Sequence, residues 1–205
     1  MSAKRWLLWS AAIVVALSGS FTGAAAQGWL VGGSAGVAKQ YDYSVGGEIA
    51  THDDTDTAYR VFGGYMFSGN FGAAVSYVDL GTPKYDGPAF GGFTDELPAD
   101  GWDASFIAGW APGQQKRFSL IATVGAFFWK QDVHYVDPSG TFDYNDSGTS
   151  LSYSAGAEFN FGGAGAKWGA HFDYQVFMDV GDENNSGHQY DRSFVSLGVD
   201  YRFGK

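Results

Sequence analysis

Apolar side chains alternate with small or polar ones along most of this chain, in segments of about ten residues that predict β-strands rather than helices. Eight such segments are read, at 29–38, 58–67, 71–79, 102–111, 117–130, 151–161, 167–178 and 193–203. The sixth is the clearest. Leu151, Tyr153, Phe159 and Phe161 share one face, while Ser152, Ser154, Gly156, Glu158 and Asn160 share the other. The second is the least clean, because Phe62 and Met66 fall on the same face as Arg60 and Gly64.

The two faces differ in an informative sense. A soluble barrel or sandwich turns its apolar face inward and its polar face to water. Here bulky aromatics stand opposite a face of Gly, Ser and Ala, which suits a narrow lumen and an outer wall held in lipid. Connection lengths alternate too. Short ones at 68–70, 112–116 and 162–166 are interleaved with long ones at 39–57, 80–101, 131–150 and 179–192. The pattern predicts an all-β fold: an eight-stranded antiparallel up-and-down transmembrane β-barrel with short periplasmic turns and four long external loops.

Composition agrees with that reading. The chain is 18% aromatic and has 31 Gly against 5 Pro, while only 17% of its residues are charged. Seventeen of its 22 acids fall in the four long connections, with the bases Lys84 and Arg192 among them. A charge on the lipid face costs about 2–4 kcal/mol near the bilayer midplane, so their exile from the strands is what a spanning barrel requires. Ahead of the strands, Lys4 and Arg5, an apolar run at 6–17 and the small residues ending in Ala24, Ala25 and Ala26 have the layout of a secretory leader. Residues 1–26 are therefore expected to be removed, leaving 27–205 as the barrel domain. The apolar run is shorter than the roughly 20 residues of a spanning helix. The formal charge of −10 becomes −12 without Lys4 and Arg5, which argues against nucleic acid as a partner. There is no cysteine, so neither disulfides nor thiolate-bound metal hold the fold.

At its end the chain reads Ser196-Leu197-Gly198-Val199-Asp200-Tyr201-Arg202-Phe203-Gly204. This is similar to the closing strand, SLGVxYRFG, of the OmpA-type transmembrane β-barrels. Val124 to Lys130 (VGAFFWK) resembles that family's fifth strand. Phe172-Asp173-Tyr174-Gln175, followed by Val180-Gly181-Asp182, resembles its seventh strand and the loop beyond, and Gly28-Trp29 with Gly32 and Gly36 resembles its first. The resemblance covers 28–204. It implies an integral protein of the bacterial outer membrane, surrounded by membrane lipid and lipopolysaccharide and delivered by periplasmic chaperones to the outer-membrane assembly machinery. That machinery reads an aromatic ending, here Tyr201 and Phe203. Larger members carry a periplasmic peptidoglycan-binding domain after the barrel; the notation of this chain, ending at Lys205, leads us to expect none. A monomer is expected.

The resemblance also implies a lumen closed by inward ionic pairs. Glu158 and Asp173 stand where the family has inward acids and His171 where it has an arginine, whereas Ala74, Ile107 and Thr123 stand where it often has charge. Arg60, Glu158, His171, Asp173, Asp200 and Arg202 all fall on inward positions and form the candidate ionic network. Its bland role is to fix register; a proton or ion path is the alternative. An eight-stranded lumen is filled by side chains or holds one small ligand, and inward Phe62, Met66, Ile107 and Phe127 offer apolar patches there.

Catalysis is not expected. His171 and Asp173 share a face, but Ser152, Ser154 and Ser196 are nucleophile candidates by type alone. The acidic stretches at 52–54, 143–146 and 179–183 lack EF-hand spacing, so neither a dedicated metal site nor a cofactor is expected. The functional expectation is a structural, envelope-stabilising protein that presents long acidic loops outside, its lumen plugged. A narrow pore or transporter for small or apolar solutes is the alternative. Loop aromatics Tyr41, Tyr43, Tyr85, Phe90, Phe93, Tyr135, Phe142, Tyr144 and Tyr190 are read as packing between loops, with contact to a surface ligand as the other reading.

Overall fold

In the computed structural model of the chain, the described residues are 27–41, 51–87, 92–112, 117–162, 167–182 and 189–203. The expected leader at 1–26, the loop acids Asp42, Glu48 and Glu183, and the loop aromatics Tyr43 and Phe90 lie outside them.

Eleven strands are present among the described residues: β1 (Gly28–Gln40), β2 (Thr51–Asp53), β3 (Thr55–Met66), β4 (Phe71–Asp79), β5 (Lys84–Gly87), β6 (Phe93–Glu96), β7 (Ala99–Trp110), β8 (Phe118–Asp137), β9 (Gly140–Asn160), β10 (Trp168–Val180) and β11 (Tyr190–Phe203). Eight of them close a barrel of antiparallel neighbours in the order β1, β3, β4, β7, β8, β9, β10, β11. The seam joins β11 back to β1, from Trp29 opposite Phe203 to Gln40 opposite Arg192. Closure leaves no edge within the wall, so every ladder N–H and C=O has a partner in a medium without water.

The alternation read from the sequence sets the orientation of each strand. In β1 Trp29 is 64% exposed and its neighbour Leu30 is 8% exposed; in β11 Leu197 is 69% exposed. At about 3.3 Å per residue, the exposed run from Trp29 to Val37 spans about 26 Å along the strand. A tilt of 35–45° brings its height across the membrane to about 19–22 Å, within the roughly 25 Å apolar band of outer-membrane barrels. Aromatic rings pair on the outer surface near the short turns, as in Trp29–Tyr65 at 5.1 Å and Trp168–Tyr201 at 4.8 Å. Small residues are needed where neighbouring strands cross closely. A Cβ on Gly36 would overlap the Val195 carbonyl across the seam.

The long connections are more ordered than loop composition suggests. The excursion at 131–150 is a continuation of the β8–β9 ladder, which runs unbroken from Phe118 opposite Phe159 to Asp137 opposite Gly140. A turn at Pro138 and Ser139 reverses it, held by the Asp137 carboxylate, which accepts from the Ser139 amide at 2.8 Å and the Gly140 amide at 3.1 Å. The second excursion contributes β5 and β6, and the first contributes β2. These three pair outward from the upper part of β8 in the order β6, β5, β2. Together with the β8–β9 hairpin they form a small sheet beyond the outer end of the barrel. Tyr85, Phe93, Leu97 and Val133 are buried beside it, with Tyr135, Tyr144 and Tyr190 packed against them. Loop aromatics therefore do pack on one another, whereas Phe142 is 41% exposed.

Candidate functional site

The inward positions sort into two layers along the barrel axis. Towards the outer end, one cluster of buried side chains draws on seven of the eight wall strands: Ala38, Ala58, Val78, Ala99, Phe127 with Trp129, Phe177, and Phe194. Phe127 and Phe177 meet across the lumen with ring centroids 4.4 Å apart. The eighth strand, β9, contributes Ser150, whose hydroxyl accepts from the Trp129 indole N–H at 2.8 Å and donates to the Asp179 carbonyl at 2.9 Å. Asp179 sits in a register shift of β10 and holds a left-handed φ of +53°.

Towards the short turns the lumen is polar on one side and apolar on the other. Arg60 on β3 reaches across to β10, where its Nη1 donates to Gln175 at 2.9 Å and its Nη2 lies 2.9 Å from Asp173. The Ser196 hydroxyl donates to the same Asp173 at 2.7 Å. Below this group, Arg202 Nη2 donates to Glu158, Arg202 Nε lies 3.5 Å from Asp200 Oδ2, and His171 Nδ1 lies 3.6 Å from Asp200 Oδ1. The six residues expected to face inward are thus gathered in two clusters, Arg60 with Asp173 and Glu158 with His171, Asp200 and Arg202. Opposite them, Leu30, Met66 and Ile107 are buried together, with Phe62, Ala74 and Ile121 against them.

Between the two sides lies a cavity of about 130 Å³, lined from Asp103 and Gln175 down to Gly69, Trp110 and Ala111 at the turn end. Ala74, Ile107 and Thr123, where the resemblance led one to look for charge, line its wall.

Two partners, Asp103 and Gln175, were not singled out from the sequence, and a third, Ser196, was named there only as a nucleophile candidate by type. Asp103 on β7 is buried and accepts from the Ser152 hydroxyl. Gln175 and Ser196 complete the Arg60–Asp173 group. Each lies at inward parity, Asp103 between outward Trp102 and Ala104, so alternation carried the signal. Arg192 requires a correction. Counted among the charges of the 179–192 connection, it lies on a wall strand instead and is 1% exposed, with Nη2 donating to the Leu97 carbonyl at 2.7 Å beneath the outer sheet. Its parity with Phe194 and Ser196 places it inward, and β11 starts earlier than the loop boundary allowed. Asp95 and Asp146, also counted with the loop acids, are buried at 0% and 4% exposure.

The serine candidates are engaged elsewhere: Ser196 with Asp173, Ser152 with Asp103, and Ser154 with Thr123 at 2.7 Å. Tyr201 and Phe203 face outward at the turn end, with ring centroids 4.7 Å apart.

The sequence profile of the family described as "Outer membrane protein beta-barrel domain" matches residues 9–203, nearly the whole chain. The chain belongs to this family of outer-membrane β-barrels. Outer membrane protein A of Shigella flexneri is 28% identical over 200 residues, covering 95% of this chain and 55% of that protein. The same protein of Salmonella typhi is 28% identical over 201 residues, with the same coverage. This barrel therefore spans about half the length of these relatives. Among solved structures, Neisserial surface protein A superposes with a TM-score of 0.54 at 17% identity, over 87% of this chain and 99% of that one. The attachment invasion locus protein of Yersinia pestis gives 0.51 at 15%, over 88% and 99%. These two likenesses are likenesses of fold. The family and the closed eight-stranded wall place the protein in the bacterial outer membrane, as its alternation and outward aromatics lead one to expect.

Proposed function

We propose that this barrel is a non-conducting, non-catalytic element of the outer membrane that stabilises the envelope and presents an ordered acidic sheet to the exterior. The observation that carries the reading is the apolar layer to which seven of the eight strands contribute, with Phe127 against Phe177 at its centre. A lumen of this width is filled by such side chains, leaving no continuous path for water or ions. In this reading the two ionic clusters fix strand register. The serine hydroxyls, each held by a residue other than His171, supply no activated nucleophile.

On the outside, the sheet built on β8 and β9 carries a row of charged side chains in register: Asp143, His134, Glu96 and Lys84. His134 pairs with Asp143 at 2.5 Å and Lys84 with Glu96 at 2.6 Å. We infer that this face, with exposed Phe142, meets surface ligands. The same proposal takes residues 1–26 as the leader that directs export, Tyr201 and Phe203 as the aromatic ending read by the assembly machinery after chaperone delivery, and the folded protein as a monomer among lipid and lipopolysaccharide.

The test is single-channel recording of the refolded protein in planar bilayers, paired with the heat-modifiable gel shift of a folded barrel. Folded and electrically silent protein is the expected result; steady conductance overturns the reading. Transport of small solutes is the second reading, favoured by the cavity at the turn end, and such conductance would put it first.

A further inference from the structure

The cavity at the turn end has features that register-fixing does not require. Its wall carries four carboxylates, from Asp103, Glu158, Asp173 and Asp200, but only two guanidiniums, from Arg60 and Arg202. Arg60 is committed to Asp173, and Arg202 donates to Glu158. Asp200 is left with the weakest partners of the four. Its side chain is 6% exposed, Arg202 Nε and His171 Nδ1 stand 3.5 and 3.6 Å away, and its Oδ2 accepts no hydrogen bond among the described residues. His171 Nε2 is likewise buried without a hydrogen-bond partner among the described residues, the residue being 8% exposed. A buried carboxylate and a buried ring nitrogen without partners are costly, and native interiors rarely keep them.

Room has been kept around these groups. A Cβ on Gly169 would stand 2.6 Å from Asp200 Oδ1 and 2.8 Å from Glu158 Oε1, so the glycine admits both carboxylates. The opposite wall is apolar, formed by Leu30, Met66, Ile107 and Ile121, with the Phe62 ring edge-on to His171 at 5.5 Å. About 130 Å³ is close to the roughly 150 Å³ that takes up one benzene molecule in a protein core.

We propose that this pocket binds one small amphipathic organic cation, an ammonium carried on an apolar body of about one aromatic ring. The ammonium has donors only. It donates to the carboxylate of Asp200, which lines the pocket. It also balances one of the two surplus negative charges. The ring lies along the Leu30, Met66 and Ile107 wall, beside Phe62, whose face carries the Arg60 guanidinium at 5.4 Å. An anion would face the surplus carboxylates, and no three His, Asp or Glu side chains converge for a metal among the described residues. The inference concerns binding alone and stands whether or not the outer layer conducts.

The experiment is a methyl NMR titration of the folded protein in bicelles at pH 7. The probe is benzylammonium, with benzyl alcohol as the uncharged control of the same shape. Saturable shifts of Leu30, Met66 and Ile121 are expected, at least tenfold weaker for the alcohol. Asp200→Asn should weaken benzylammonium at least tenfold. Ile107→Trp, which fills the pocket and leaves every charge in place, should abolish saturation. If Asp200→Asn gives no heat-modifiable band, the alcohol comparison and Ile107→Trp decide. Absence of saturable shifts, equal affinity for the alcohol, or parent affinity in Ile107→Trp overturns the proposal.

Discussion

The two ends of the lumen are lined by the same eight strands but built on opposite principles. The outer end is closed by apolar side chains from seven strands, with one indole N–H satisfied by Ser150. The turn end carries six ionisable side chains in two clusters, together with buried Asp103 and a cavity. Apolar packing tolerates modest changes of shape as long as volume is kept. A buried ionic group tolerates only paired change, because removing one partner strands the other. The outer layer is therefore suited to sealing, and the turn end to specifying register and holding chemistry.

The largest way to break this contrast is to open the seal. Phe127→Ala or Phe177→Ala should each lower the unfolding free energy by about 3–5 kcal/mol, measured by urea denaturation from lipid vesicles. The double variant should also let current through a planar bilayer. If it stays silent while remaining folded, the apolar layer is not what blocks the lumen. Next is Asp173→Ala, which leaves the Arg60 guanidinium buried with Gln175 alone. It should destabilise by about 3–5 kcal/mol, whereas Arg60→Met combined with Asp173→Leu should recover most of that loss. A double variant no better than the single one would mean that the ionic pair itself is indispensable.

Smaller effects sharpen the comparison. Gly36→Ala forces the β1–β11 seam apart at the Val195 carbonyl and should cost about 1–3 kcal/mol as overpacking. The gel-shift midpoint in a heating series reads this loss. Smallest is a local effect at the outer hairpin tip, beyond the membrane. Hydrogen bonds from the Ser139 hydroxyl, and then from the Ser139 and Gly140 amides, hold the Asp137 carboxyl below its ordinary 3.8. A depressed carboxyl stabilises the folded turn above its unfolded value, and that contribution fades as pH falls through the folded one. Amide exchange at Ser139 and Gly140, corrected for intrinsic rates, should accelerate below about pH 3.8 while the barrel strands stay protected.

Alternation made the wall legible. Leu151 and Phe159 outward, with Ser152 and Glu158 inward, follow from period two alone, and so does the inward set from Arg60 to Arg202. Parity says which way a side chain points but not the height at which strands meet. That height depends on the stagger of the barrel. The pairing of Arg60 with Asp173 rather than Glu158, and the gathering of Phe127, Phe177 and Phe194 into one layer, were therefore not readable. The 131–150 excursion was obscured differently. Asp132, Asp137, Asp143 and Asp146 read as solvated loop, although Val133 and Tyr135 opposite Tyr144 and Phe142 kept the alternation, and Pro138-Ser139-Gly140 supplied a turn. Arg192 was missed for a related reason: it was counted with the 179–192 connection, although β11 begins at Tyr190.

The unbroken β8–β9 ladder also orders events in time. Its paired residues are 3 to 41 positions apart in the chain, whereas those across the β1–β11 seam are 152 to 174 apart. Loop-closure entropy favours the near pairs first. The hairpin thus acts as a template on which neighbouring strands add, and the seam zips last. Until it does, β1 and β11 present open edges that lipid cannot satisfy, so closure and entry into the bilayer must occur together.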